Sequence, residues 1–119
     1  MARDMEVTEI NQLWVADLTY IQLPKEFIYL AVIIDVFSRR CIGWNLDRTI
    51  DTQLTLNALY KALDCRAGQD IDGLVHHSDQ GVQYASNAYI ECLKEYEIQI
   101  SMSKREIRGG LPLGLQDFR

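Results

Sequence analysis

Asp17 and Asp79 are the residues of this 119-residue chain best suited to do chemistry. Asp17 stands inside "LWVADLTYI", among apolar neighbours, where a charge without a partner is costly. Taken singly, such an aspartate reaches solvent or accepts from a backbone amide. Asp79 closes "HHSD" just ahead of Gln80 and Gly81, and taken singly it is a turn or capping residue. Together they say more. If their two strands are neighbours, two carboxylates meet near one edge of a sheet. Two unit charges about 4 Å apart repel by roughly 4 kcal/mol at an effective dielectric near 20. Protonating one of them, or placing a divalent cation between them, relieves the repulsion. Mg²⁺ and Mn²⁺ prefer oxygen ligands, and carboxylate-held ion pairs suit phosphoryl transfer. One ion activates an attacking hydroxyl and the other stabilises the leaving oxygen.

The elements that must position this pair are read from hydrophobic period. "NQLWVADLTYI" alternates, with Trp14, Ala16, Leu18 and Tyr20 on one face and Val15, Asp17, Thr19 and Ile21 on the other. "LPKE" is a turn. "FIYLAVIIDVF" is a β-branched and aromatic run expected to be a central strand buried on both faces. After the polar break "SRR", "CIGWNL" is a third strand with Ile42, Trp44 and Leu46 on one face. Short connections make these three strands an antiparallel meander. The period then becomes helical. Asp51 or Thr49 caps "DTQLTLNALYKALDCRAG", whose stripe is Leu56, Leu59, Tyr60 and Leu63, with Gly68 as terminator. "DGLVHHSD" is a fourth strand, reached by a crossover that predicts a parallel partner. "GVQYAS" is a loop. Ser86 caps "NAYIECLKEYE", with Ile90 and Leu93 inward and Glu91, Lys94 and Glu95 in water; "IQISMS" is a fifth strand. The order β-β-β-α-β-α-β predicts a mixed α/β fold, a five-stranded mixed sheet with packed helices, in a single domain with no internal repeat.

Bulk properties narrow the function classes. No apolar run is long enough for a membrane helix and no signal-peptide pattern opens the chain. Cys41, Cys65 and Cys92 are odd in number, widely spaced and without a CxxC pair, which predicts free thiols in a reducing cytoplasm. A net charge of −5 argues against a dedicated nucleic-acid arm, but an enzyme that gathers carboxylates around metal ions can act on DNA and still be acidic.

Other candidates are read mainly as structural. Asp35 ends the second strand, and closing the hairpin suits it better than binding metal. His76 and His77 point to opposite faces of their strand and cannot share one ion, so a zinc site is not expected. His77, Gln80, Gly81 and Tyr84 are assigned to the cleft wall, with Gly81 allowing close backbone approach. Ser78 beside His77 has no nucleophile elbow around it. Arg39, Arg40, Lys104, Arg105 and Arg108 could touch phosphate, with surface solubility suiting the first two better.

Three ordered blocks, "LWVADLTYI", "AVIIDVFSRRCIGW" and "HHSDQGVQYAS", resemble the catalytic core of bacterial insertion-sequence transposases related to retroviral integrases. The resemblance runs from about Asn11 to Ser103. It implies a ribonuclease H-like fold and an Asp, Asp, Glu triad holding two Mg²⁺ (or Mn²⁺) ions. It also implies an enzyme that cleaves DNA at transposon ends and joins the freed 3′ hydroxyl to a target strand. Asp17 and Asp79 match the first two acids. On this reading residues 1–10 are an N-terminal remnant, 11–103 the integrase-like core and 104–119 a non-homologous, disordered tail.

The third acid is expected to be missing. Residues 80 to 114 separate Asp79 from the position where the family carries its glutamate, and that position is Leu115. Glu106 comes too early, Glu91 and Glu95 lie on a polar helix face, and Asp117 has no context. A change of reading frame across Arg105 to Gly109 would restore Gly-Asn-Pro-Trp, close to the family's turn. The resemblance therefore implies a truncated, inactive core that binds metal weakly, with apolar sheet surface left open and a sticky fold. A second class is a non-catalytic fragment that self-associates or joins intact transposase as an inhibitor. A receiver-like signalling domain is contradicted by the opening meander.

Overall fold

The computed structural model describes residues 6–79, 82–103, 107–108 and 111–112. Three strands come first, β1 (Leu13–Gln22), β2 (Phe27–Asp35) and β3 (Arg40–Asp47), followed by helix α1 (Thr52–Cys65) and strand β4 (Val75–Asp79). The short helix α2 (Val82–Ala85), helix α3 (Asn87–Glu95) and strand β5 (Gln99–Ser103) complete the main body. The sheet order is β3-β2-β1-β4-β5. β1, β2 and β3 pair antiparallel, whereas β4 runs parallel to both β1 and β5. This is the mixed five-stranded sheet expected from the sequence, with a right-sized helical crossover between β3 and β4. Ile107–Arg108 and Leu111–Pro112 form a further two-residue antiparallel ladder, where the sequence predicts no strand. The other tail positions assigned as disordered, 104–106, 109–110 and 113–119, lie outside the described residues.

The core lies between the sheet and its helices. Trp14, Ala16, Ile33 and Ile42 meet Leu56, Leu59 and Ala62 of α1 and Tyr89 and Leu93 of α3. α1 sits almost on the sheet, because a Cβ added at Gly43 would stand 2.2 Å from the Ala58 carbonyl oxygen. Small residues at Ala58 and Ala62 make that approach possible. They also rotate the helix, so the buried stripe centres on Leu54, Ala58, Leu59 and Ala62. Tyr60, placed in the stripe by its spacing, is exposed instead.

Three further expectations change. β2 is buried on one face only: Ala31, Ile33 and Asp35 are covered, but Ile28, Leu30, Val32 and Ile34 are half-buried. Among the described residues, helices pack on the Ala31–Ile33 side. Trp44 and Leu46 are exposed while Ile42 is buried, because the register shifts between Ile33 and Ile34. Gly43 falls opposite Ile33 and Cys41 opposite Ile34, leaving Ile42 in a bulge. Finally, "GVQYAS" contains α2 rather than a plain loop.

Both long helices begin as expected. The Asp51 side chain accepts from the Leu54 amide at 3.1 Å and the Ser86 hydroxyl from the Tyr89 amide at 3.4 Å. Each satisfies one of the amides left free at a helix start. Gly68 has φ +83° in the turn after α1, a conformation glycine adopts without strain. No described helix is long and apolar enough to cross a membrane.

Candidate metal centre

Asp17 is carried by β1, between two elements that fix its direction. On one side Asp17 is opposite Val32 of β2. On the other, β1 pairs with β4 in the register Leu13–Val75, Trp14–His76 and Val15–His77. Carried on by two residues, the same register sets Asp17 abreast of Asp79. Residues level in a parallel pair face the same side of the sheet. The two carboxylates therefore share the face that also carries Val15 and His77, opposite to the one that α1 covers. Both are half-buried. Asp79, the last residue of β4, is also level with Ser103 of β5.

The two histidines diverge, as strand alternation requires. His77 Nδ1 lies 2.9 Å from the Ser101 hydroxyl on the carboxylate face. Burial lowers its pKa, and the neighbouring Asp79 charge opposes that shift. His76 points into the helical core, where its Nε2 is 2.7 Å from the Tyr89 hydroxyl. Burial pushes its pKa down to about 4, with His77 adding to the effect and a backbone hydrogen bond opposing it. His76 is thus a neutral core residue. Tyr89, fully buried and bonded to it, is a contact that sequence reasoning missed; its spacing of four from Leu93 on one helix face was the available signal.

Tyr84, on α2, closes the end of the cluster. Its ring meets Tyr89 edge-on at 5.4 Å and lies 6.4 Å from His76. Burial raises its pKa well above the ordinary phenol range, and Tyr89, Asp17 and Asp79 add to the effect. The phenol is protonated, and both carboxylates lie within electrostatic reach of it. Of the other residues assigned to the cleft wall, Gln80 and Gly81 lie outside the described residues.

Asp35 does not join the centre. Its Oδ1 accepts from the amides of Phe37 and Ser38, closing the β2–β3 turn. Its Oδ2 accepts from the Asn11 amide at 3.0 Å and pairs with Arg66 at 3.3 Å. Glu91 and Glu95 are exposed on α3, while Leu115, Glu106 and Asp117 lie outside the described residues. Among the described residues, no group of three or more His, Cys, Asp or Glu side chains could hold a metal ion.

Two aspartates on one sheet face supply hard oxygen donors of the kind that suits Mg²⁺ or Mn²⁺. Comparison with known proteins decides the lineage: the family model described as integrase core domain matches residues 7–106. The chain belongs to the integrase core domain family. It is similar to the transposase for insertion sequence element IS629 of Shigella sonnei, 47% identical over 85 residues, covering 71% of this chain and 28% of that protein. It is also similar to the transposase for insertion sequence element IS904 of Lactococcus lactis, 37% identical over 100 residues, covering 84% of this chain and 39% of that protein. The chain thus spans roughly a third of the length of these integrase-core relatives. Its fold is that of the HTLV-2 integrase catalytic core domain solved in complex with magnesium. The TM-score there is 0.66 at 22% identity, over 80% of this chain and 62% of that one. The sheet is therefore ribonuclease H-like, as the sequence resemblance implied.

Proposed function

We propose that this chain is the core portion of a DDE-type transposase, a cytoplasmic protein in which Asp17 and Asp79 hold divalent cations against DNA. The observation that supports the reading is the parallel β1–β4 register at Leu13–Val15, which, carried on by two residues, would bring the two acids level on one face, in a chain whose residues 7–106 match the integrase core. Bound Mg²⁺ or Mn²⁺ would supply charge stabilisation for phosphoryl transfer between transposon ends and target DNA. The protein's part is to fix both carboxylates on rigid strands, β1 being held from both sides. Leu115 stands where the family carries its third acid, so the ion is held weakly and strand transfer does not proceed.

Two measurements test this. Mn²⁺ binding by the chain is expected, and to be lost in Asp17→Ala; equal binding by both proteins sinks the site. A strand-transfer assay with Mg²⁺ and transposon-end DNA is expected to give no product above background. Product that disappears in Asp17→Ala would leave the site standing and end the claim of inactivity.

A second reading follows from the exposed Ile21, Trp44 and Leu46, which with half-buried Leu30 and Val32 leave apolar strand surface in water. Such surface drives association. The chain would then pair with itself or with intact transposase and inhibit it. Co-purification of the two chains, together with reduced transposition in cells, is the expected result.

A further inference from the structure

We propose that His77 is a positioning residue for Asp79: its hydrogen bond to Ser101 clamps β5 to β4 on the carboxylate face, and the clamp holds the second acid where it can share an ion with Asp17. This inference rests on the reading that Asp17 and Asp79 bind metal.

The two sides of β4 are not held alike. The ladder between β1 and β4 ends at Val15 and His77, two residues short of Asp79. The ladder between β4 and β5 runs on through Ser78 and Met102 to Asp79 and Ser103. The backbone that presents the second acid therefore takes its alignment from β5. Yet β5 is an edge strand of only five residues, and segments with few neighbours open locally at low cost.

Each face of β5 has its own anchor. On the helical side Ile100 and Met102 pack against the main core. On the carboxylate side Ser101 stands level with His77, and its hydroxyl lies 2.9 Å from Nδ1 of the imidazole. His77 is only 6% exposed, and a ring nitrogen buried there without a partner would be costly. Its neighbours on this face, Val15 and Val75, are apolar, so packing alone does not call for a polar pair. His77 and Asp79 are two apart on one strand and face the same side, which sets the bond one side-chain level from the second acid. A hydrogen bond is directional, so the pair resists slippage of β5 and the drift of Asp79 that slippage would bring. Metal ligands need such support from the elements that carry them.

The test uses the whole chain and Mn²⁺, followed by electron paramagnetic resonance titration at a temperature where thermal melting shows every variant folded. Ser101→Ala breaks the bond and leaves the imidazole in place. It is expected to bind Mn²⁺ about threefold to tenfold more weakly, the worth of one net hydrogen bond. Ser101→Thr keeps the hydroxyl and is expected to bind like the parent. His77→Phe removes the other partner and is expected to match Ser101→Ala. Parental affinity in Ser101→Ala overturns the assignment, since the bond then serves the fold alone. So does a loss in His77→Phe without one in Ser101→Ala, or an equal loss in Ser101→Thr. Asp17→Asn separates the two levels. If it abolishes Mn²⁺ binding while Ser101→Ala leaves binding unchanged, only the role of His77 fails. If Asp17→Asn binds like the parent, or the parent binds no Mn²⁺, the metal centre fails and this inference with it.

Discussion

The Asp35 carboxylate and the Arg66 guanidinium form an ion pair, 3.3 Å between Oδ2 and Nη2, sealed from solvent at both ends. It ties the end of β2 to the residue that caps α1. The same carboxylate accepts from three backbone amides, those of Asn11, Phe37 and Ser38. Asn11 extends the network, its side-chain amide donating to Gln69 at 2.9 Å while its Oδ1 accepts from the Trp14 indole at 3.3 Å. Removing one partner of a buried pair strands the other charge, at a cost of about 3–5 kcal/mol. Asp35→Ala is expected to lose that much stability in urea denaturation, and to lose more than Arg66→Met, because the carboxylate that Arg66→Met strands keeps its three backbone amide donors.

Much of this arrangement was legible in the sequence, and the reasons it was not complete are local. The strict alternation around Asp17 and the short apolar run before Asp79 mark two strands, and the helix before "HHSD" marks a parallel crossover. From these the facing of the two acids follows. Asp35 at a strand end correctly signals a turn, but its pairing with Arg66 joins elements far apart in sequence and leaves no local trace. The bulge at Ile42 is invisible because it exists only relative to Ile33 and Ile34 on the facing strand. Tyr60 reads as buried by spacing alone, and only the close approach of Ala58 and Ala62 to Gly43 turns it out. Four residues of α2 are too few to show a period.

Gly43 should tolerate no side chain. A Cβ there would also meet the Ala62 amide nitrogen at 2.8 Å and its Cβ at 2.9 Å, and most of these atoms are helix backbone that cannot swing aside. Gly43→Ala is expected to cost about 1–3 kcal/mol or more by overpacking, read as a lower urea midpoint. A midpoint equal to the parent's would mean that α1 shifts away from β3 freely.

Acid should weaken the fold through His76. Its pKa is about 4 when folded against about 6.5 unfolded, so the unfolded chain binds the extra proton between those values. Stability is then full above about pH 6.5, declines as pH falls, and has lost this contribution below about pH 4. The difference between those two values corresponds to about 3 kcal/mol. Urea midpoints of the parent at pH 7 and pH 5 should differ more than those of His76→Phe, which cannot take up a proton.

The cap of α1 offers a milder change. Asp51→Ala removes the acceptor for the Leu54 amide and is expected to cost about 1 kcal/mol, with the Mn²⁺ affinity of the chain unchanged. Thermal melting and metal titration of the one variant check both halves.

The parallel pairing of β1 with β4 also fixes an order of events in time. Leu13 and Val75 are neighbours across that seam, but two hairpins and a helix are threaded between them. Contacts between distant parts of a chain form late, after local ones have shortened the loop that must close. The meander, whose contacts are local, can therefore form before β4 docks against β1. The second acid is then brought, on the last strand segment to dock, to a strand that β2 already holds in line.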